Sequence, residues 1–286
     1  MKLAGTVIDR TPPPALVLMA ILSIQLGAAL AVDLFSVLGP SGAVLSRLAV
    51  SVLILGAVFR PKPDRLIRQH WKLLLGYGVT LSLMNWCFYE SIARIPLGLA
   101  VTIEFMGPLI VATVTSHRAI DLLWVAIAVA GLVTLTPEIG DNIDPEGVMF
   151  AVLAGTGWGG FVLLSKRIGA AFPGASGLVY GMAIATCVML PVAWDNVLPV
   201  FFSINLFGIV VALAVLSTAI PFFFEFTALR NLSPHTYGIL ITLEPVVATV
   251  IGVIVLGDSL GVKELIAIAC VTAAALGATL TQKKQV

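Results

Sequence analysis

The chain has 286 residues, 59% of them hydrophobic and only 11% charged, with a mean hydropathy of +1.07 and a formal net charge of +1. A soluble domain carries roughly 25% charged residues, so water is not this chain's main solvent. Near-neutral charge with no basic stripe gives no sign of a nucleic-acid partner, and Cys87, Cys187 and Cys270, all within apolar runs and without C-x-x-C spacing, speak against a disulfide framework or a thiolate metal site.

Apolar stretches of about 20 residues, enough to cross ~30 Å of hydrocarbon at ~1.5 Å per residue, follow one another almost without a gap. They predict helices over 14–38, 43–59, 73–95, 98–116, 120–136, 147–166, 176–194, 204–229, 235–256 and 262–281. Lys2 and Arg10 ahead of the first run resemble the start of a signal peptide, but the run continues to Leu38, too long for an ordinary signal core, and reads as a retained span. Pro40, Pro96, Pro137, Pro173, Pro234 and Gly257 punctuate the tight connections, as residues that do not continue a helix should.

With ten spans and an inner N-terminus, thirteen Lys and Arg residues fall on the cytoplasmic side, and only Arg94 and Lys263 fall outside. That is a strong positive-inside signal. The segment Pro137 to Gly147 carries Glu138, Asp141, Asp144 and Glu146 and no base, which suits the outer face. Both termini are expected to be cytoplasmic, as tails of residues 1–13 and 283–286.

The two halves resemble each other. Gly27, Pro40 and Gly42 map to Gly160, Pro173 and Ala175 at an offset of 133, and Ile92, Ile95, Pro96 and Pro108 map to Leu229, Leu232, Ser233 and Pro245 at an offset of 137. Ordered matches at similar offsets point to a duplicated five-helix unit, 14–140 and 147–282. Five is odd, so the second copy enters the membrane from the opposite side. The expected fold is an all-α membrane protein of ten transmembrane helices in two inverted-topology repeats, an architecture that recurs in secondary transporters with a midplane site between the halves.

The stretch Ala228-Leu229-Arg230-Asn231-Leu232-Ser233-Pro234, then Glu244-Pro245 and Leu256-Gly257-Asp258, resembles the drug/metabolite transporter superfamily, specifically its EamA-type members, which more often have Glu at the last position. Ser23-Ile24-Gln25, Pro96-Leu97-Gly98, Glu104-Phe105, Gly107-Pro108-Leu109, Ser217-Thr218-Ala219, Pro221 and Glu225 are most similar to the bacterial threonine/homoserine exporter group. The resemblance implies efflux of small amino acids across the bacterial inner membrane, driven by an ion gradient, with protons as the expected coupling ion.

An ionisable group inside a bilayer costs ~2.5 to 3.5 kcal/mol on insertion scales unless it is paired or in a wet cavity, so each one needs a reason. Asp33 and Arg47 lie seven residues on either side of Pro40, so a helical hairpin turning there puts them at equal depth. Either they form an ion pair that staples two spans, or Arg47 grips a substrate carboxylate in the bidentate geometry that suits guanidinium.

Glu90 and Glu104 bracket Pro96 by six and eight residues, which sets both in the outer half. Glu104 precedes Gly107-Pro108, and Glu244 precedes Pro245 at the equivalent place in the second repeat. Both prolines remove a backbone donor, so helix breaks are expected at Gly107, Pro108 and Pro245. Glu225 stands among phenylalanines in the inner half. Glu104, Glu244, Glu225, Arg47, Gln25, Asn85 and Glu90 are therefore candidates for substrate binding or proton coupling, set against buried structural partners. Trp86, Tyr89, Trp158 and Tyr237 are candidate cavity wall, and His235 reads as an interfacial histidine.

The run Gly155-Thr156-Gly157-Trp158-Gly159-Gly160 suits close helix packing rather than phosphate binding. No H-E-x-x-H or G-x-S-x-G occurs, so an enzyme, a metal site and a cofactor are not expected. The partners foreseen are a small amino acid, protons and the lipid bilayer. Efflux of other metabolites or lipophilic cations is the alternative that buried acids and aromatics would equally serve.

Overall fold

A computed structural model describes residues 11–63, 65–116, 118–135, 143–251 and 261–281. Glu138 and Asp141, the Leu256-Gly257-Asp258 stretch and residues 1–10 and 282–286 lie outside them. Every element among the described residues is helical. Five helical stretches are long and apolar enough to cross a bilayer: Val37–Phe59, Leu97–Val114, Pro145–Ala171, Ser176–Phe202 and Ile204–Asn231. Shorter apolar helices accompany them at Pro13–Gly27, Ala119–Thr134 and Leu265–Thr281.

The first helical segment, Pro13–Phe59, consists of two arms, α1 and α2, that meet at Gly39. Gly39 has φ 63° and ψ 178°, a backbone open to glycine and costly for any residue with a Cβ. Ser23 on α1 and Ser51 on α2 donate to the carbonyls of Leu216 and Ala214, close together on one neighbouring helix, so the chain doubles back at the glycine.

The basic loop that follows holds a short helix, α3 (Arg65–Gln69), before α4 (Trp71–Ile92), α5 (Leu97–Val114) and α6 (Ala119–Leu135). Asp144 caps α7 (Pro145–Ala171) by accepting the Glu146 N–H at 2.9 Å. After α8 (Ser176–Val197) and a 3₁₀ turn, α9 (Ile204–Ala214), a π turn (Val215–Ala219) and α10 (Ile220–Asn231) form one long rod. Ser233 caps α11 (Pro234–Leu240), α12 spans Leu243–Ile251, and α13 is Val262–Thr281.

α4 packs on α7 and α8, α5 on α7, the first segment on α8, with Gly42 and Gly56 of α2 against Asn196 and Val179, and α6 on α13. Lipid tails are as apolar as leucine, so helices associate through close approach and interhelical hydrogen bonds rather than the hydrophobic effect. The α5–α7 crossing follows that rule: a Cβ on Gly107 would overlap the Gly155 carbonyl. Tyr77, Phe161 and Phe226 are fully buried at the centre, with the Tyr77 and Phe161 rings stacked at 5.8 Å. Leucines such as Leu53 and Leu280 face outward, where a bilayer would cover them.

Two expected helix breaks are corrected here. α5 runs unbroken through Gly107 and Pro108. Pro108 still removes the donor to the Glu104 carbonyl, but that carbonyl lies against Gly155, and the tight packing of α7 keeps the helix on course. The segment ahead of Pro245 behaves differently. Between α11 and α12 the helix is interrupted at Ile241 and Thr242, just ahead of Pro245, whose missing N–H leaves the Ile241 carbonyl to a tighter bond from Glu244 N at 3.0 Å.

Candidate functional site

Acids from three helices converge on one cavity of about 570 Å3. Gln25 of α1, Arg47 of α2, Asn85 and Tyr89 of α4, Glu104 of α5, Trp158 of α7, Ser217 of the π turn, Glu225 of α10, and Glu244 with Pro245 of α12 all line it. Its volume lies within the ~300 to 1,000 Å3 range of small-molecule sites.

Arg47 is only 5% exposed, and its guanidinium is held on three sides. Nη2 donates to Asn85 Oδ1 at 2.9 Å, Nη1 donates to the Ser217 carbonyl at 3.4 Å, and the Tyr89 ring lies 4.6 Å beneath. Asn85 is itself fixed by donating from Nδ2 to the Leu81 carbonyl at 2.8 Å. Nε is buried with no hydrogen-bond partner. Among the described residues Arg47 has no carboxylate partner. The side chain of Asp33, expected to pair with it, lies outside the described residues.

The Ser217 carbonyl is available because Pro221, four residues on, has no N–H to give it. The π turn widens the rod there, and such turns recur at functional sites. Ser23, Arg47 and Ser51 of the first hairpin serve the carbonyls of Leu216, Ser217 and Ala214 in and beside it. Sequence reasoning missed this turn, although Ser217-Thr218-Ala219 ahead of Pro221 was a legible signal.

Glu104 is 7% exposed and Glu225 4%, and both are close enough to Glu244 to feel its charge. None of the three is ion-paired among the described residues. Tyr237, fully buried, stands beside Glu225 and Trp158 and just outside the cavity lining. Phe105 stacks edge-on against Trp158 at 4.9 Å and adds an aromatic wall that the sequence did not single out.

Two expected site residues lie elsewhere. Glu90 accepts from Arg94 at 2.6 Å, from Trp86 Nε1 at 3.1 Å and from Ser41 at 3.2 Å, outside the cavity lining. The hydrogen bond it donates to Glu90 holds Arg94, in the turn after α4, above the ordinary arginine range. Trp86 is occupied in the same cluster, with its ring edge-on to Phe150 at 6.0 Å, and is not cavity wall. His235, expected at the interface, is buried, with Nδ1 3.0 Å from the Ala112 carbonyl. Among the described residues no group of His, Cys, Asp and Glu is arranged to hold a metal ion.

The comparisons with known proteins agree with this architecture. The model of the EamA-like transporter family matches residues 145–280. The threonine/homoserine exporter RhtA of Escherichia coli is 39% identical over 275 residues, 96% of this chain and 93% of that protein. RhtA of Salmonella typhimurium is 38% identical over the same shares. YwfM of Bacillus subtilis, an uncharacterized transporter, is 22% identical over 223 residues, 75% of each chain. A solved crystal structure shares the fold at a TM-score of 0.74 and 19% identity, covering 94% of this chain and 96% of that one. The chain belongs to the EamA-type drug/metabolite transporters, close to their RhtA group.

Proposed function

We propose that this protein exports small amino acids of the threonine and homoserine kind across the bacterial inner membrane, by proton antiport and alternating access. The observation that carries the reading is the charge pattern of the cavity, with one buried guanidinium and three acids that have no cation of their own among the described residues. A zwitterion complements both. Its carboxylate takes the unpartnered Nε–H of Arg47 as the pocket adjusts to uncover it, and its ammonium takes Glu104 or Glu244. The relatives named for threonine and homoserine export supply the substrate class.

Three carboxylates sharing one low-dielectric cavity do not all ionise together, since like charges at close range repel strongly there. The site therefore exchanges protons for cationic groups. Arrival of the ammonium displaces a proton from Glu104 or Glu244, and departure of the substrate lets it return. Export is thereby coupled to inward proton flow.

Alternating access in this reading comes from two inverted five-helix repeats, 14–140 and 147–282, with both termini cytoplasmic. The helix contacts suit such a duplication. α2 with α8, and α6 with α13, are the pairs that an inverted repeat places against their own counterparts. The thirteen-to-two distribution of basic residues favours the orientation.

The test is homoserine transport in proteoliposomes with an imposed proton gradient, alongside proton release on binding in detergent. Glu104→Gln or Glu244→Gln abolishes gradient-driven transport and the released proton. If both variants keep both signals, the coupling mechanism is wrong. If lipophilic cations compete with homoserine while neutral amino acids do not, the substrate class is wrong and cation efflux takes its place.

A further inference from the structure

A second pocket, of about 450 Å3, opens between the ends of α7 and α10, and none of the three acids lines it. It is lined by Lys166, Gly169 and Ala170 of α7 and by Thr227, Arg230 and Asn231 of α10. This end of the bundle also carries the basic loop: Tyr180 donates to the Lys62 carbonyl at 2.7 Å, and Phe172, the residue just after α7, packs edge-on to His70.

The two cations of the pocket are held in place by neutral groups. Lys166 Nζ donates to the Leu232 carbonyl at 2.7 Å, and Arg230 Nη1 donates to the Gly174 carbonyl at 3.3 Å. Among the described residues neither has a carboxylate partner. Gly169 is the reason Arg230 can lie across α7, because a Cβ there would sit 2.5 Å from Arg230 Cγ. Two positioned and uncompensated cations with the Asn231 amide beside them form a receptor for a compact anion, while the Thr227 hydroxyl already gives its proton to the Phe223 carbonyl at 2.7 Å. Lys166 stands five residues before the end of α7, about 7.5 Å along the axis, which is headgroup depth rather than mid-bilayer.

We propose that this pocket binds a phosphate group, supplied by an anionic phospholipid headgroup or by free phosphate. Lys166 lies eight residues on from Trp158 along α7, and Arg230 five residues on from Glu225 along α10. A phosphate bridging the two cations clips together two helices that wall the central cavity. Bound anion therefore steadies the arrangement of the acids seen here without entering their site.

The experiment uses the full-length protein in nanodiscs of phosphatidylcholine, with or without phosphatidylglycerol, and adds inorganic phosphate to the lipid-neutral sample. Retained lipid is counted by native mass spectrometry, and thermal unfolding is recorded in parallel. Phosphatidylglycerol is retained and raises Tm in the unaltered protein. Affinity falls about fivefold for Lys166→Gln or Arg230→Gln and about 25-fold for both, the scale of ~1 kcal/mol per basic residue at a membrane surface.

Arg65→Gln/Arg68→Gln, in the basic loop but outside the pocket, changes little. If inorganic phosphate reproduces the Tm rise in neutral lipid, free phosphate is the ligand. Equal retention of the two lipids with no effect of phosphate overturns the proposal, as does a loss of affinity equal in the loop variant. Arg230 is exposed at a helix end, so its substitution leaves the core intact and keeps the test decisive should Lys166→Gln fail to fold.

Discussion

Arg47→Lys asks whether the guanidinium is a receptor or only a staple. Arginine has five N–H donors. In the structure Nη2 serves Asn85 and Nη1 the Ser217 carbonyl, while the buried Nε–H serves nothing. A substrate carboxylate taking Nε and a neighbouring Nη makes two charge-assisted bonds, each worth about 1.5 to 3 kcal/mol. Lysine keeps the charge and one such bond but loses the fork, so binding of homoserine weakens by about 1.5 to 3 kcal/mol, or roughly 10- to 150-fold.

The assay is calorimetric or scintillation-proximity binding in detergent, with homoserine compared against the corresponding amine that lacks the carboxylate. The unaltered protein prefers homoserine, and R47K loses most of that preference. A Tm measured without ligand separates the two roles, because a staple would lower Tm and affect both ligands equally. If R47K binds homoserine within about twofold of the unaltered protein, or discriminates against the amine as well as before, the assignment of Arg47 to the carboxylate is refuted.

Other substitutions probe the frame around the cavity. Gly107→Ala forces apart the α5–α7 crossing at the Gly155 carbonyl, and overpacking of this kind costs about 1 to 3 kcal/mol, so Tm in detergent falls and the purified yield with it. Glu90→Gln loses a pair with a partly exposed arginine outside the cavity, an interaction worth about 0.2 to 1 kcal/mol; homoserine transport stays within about twofold, in contrast to Glu104→Gln. Equal damage from the two glutamate variants would remove the distinction drawn between their sites.

The candidate cavity was legible because lipid makes charge costly. Each of Glu104, Glu225, Glu244 and Arg47 had to be explained, and one cavity now holds all four. Glu90 and Trp86 were misplaced because proline spacing gives depth along a helix and not direction around it. The missing information was present in another form: Glu90 and Arg94 stand at i and i+4, the spacing of a helical ion pair, and Trp86 stands four residues before Glu90. Gly107-Pro108 and Glu244-Pro245 looked alike on paper, yet only the second adjoins a break. What differs is the neighbour, since α7 presses on α5 through two glycines, and that contact is tertiary.

The break ahead of Pro245 leads to a sharper test of how the site is built. α11 is clamped: each described residue from His235 to Leu240 is buried, and a Cβ on Gly238 would overlap the Pro108 carbonyl of α5. In an unbroken helix at about 100° per residue, Glu244 lies six positions and so about 240° around from Gly238, turned away from α5 and therefore from Glu104. The interruption at Ile241 and Thr242 frees Glu244 from that direction and lets it line the cavity with Glu104. Pro245→Ala supplies the N–H that the Ile241 carbonyl would receive in a continuous helix, in place of its tighter bond from Glu244 N, and so lets α11 run on into α12. Tm therefore stays level or rises, circular dichroism gains helical signal, and homoserine transport nonetheless falls at least about tenfold, because the restored helix carries Glu244 out of the acid cluster. A variant that gains helix and keeps full transport would mean that Glu244 need not face Glu104, and the substrate's ammonium would then belong to Glu104 and Glu225 instead.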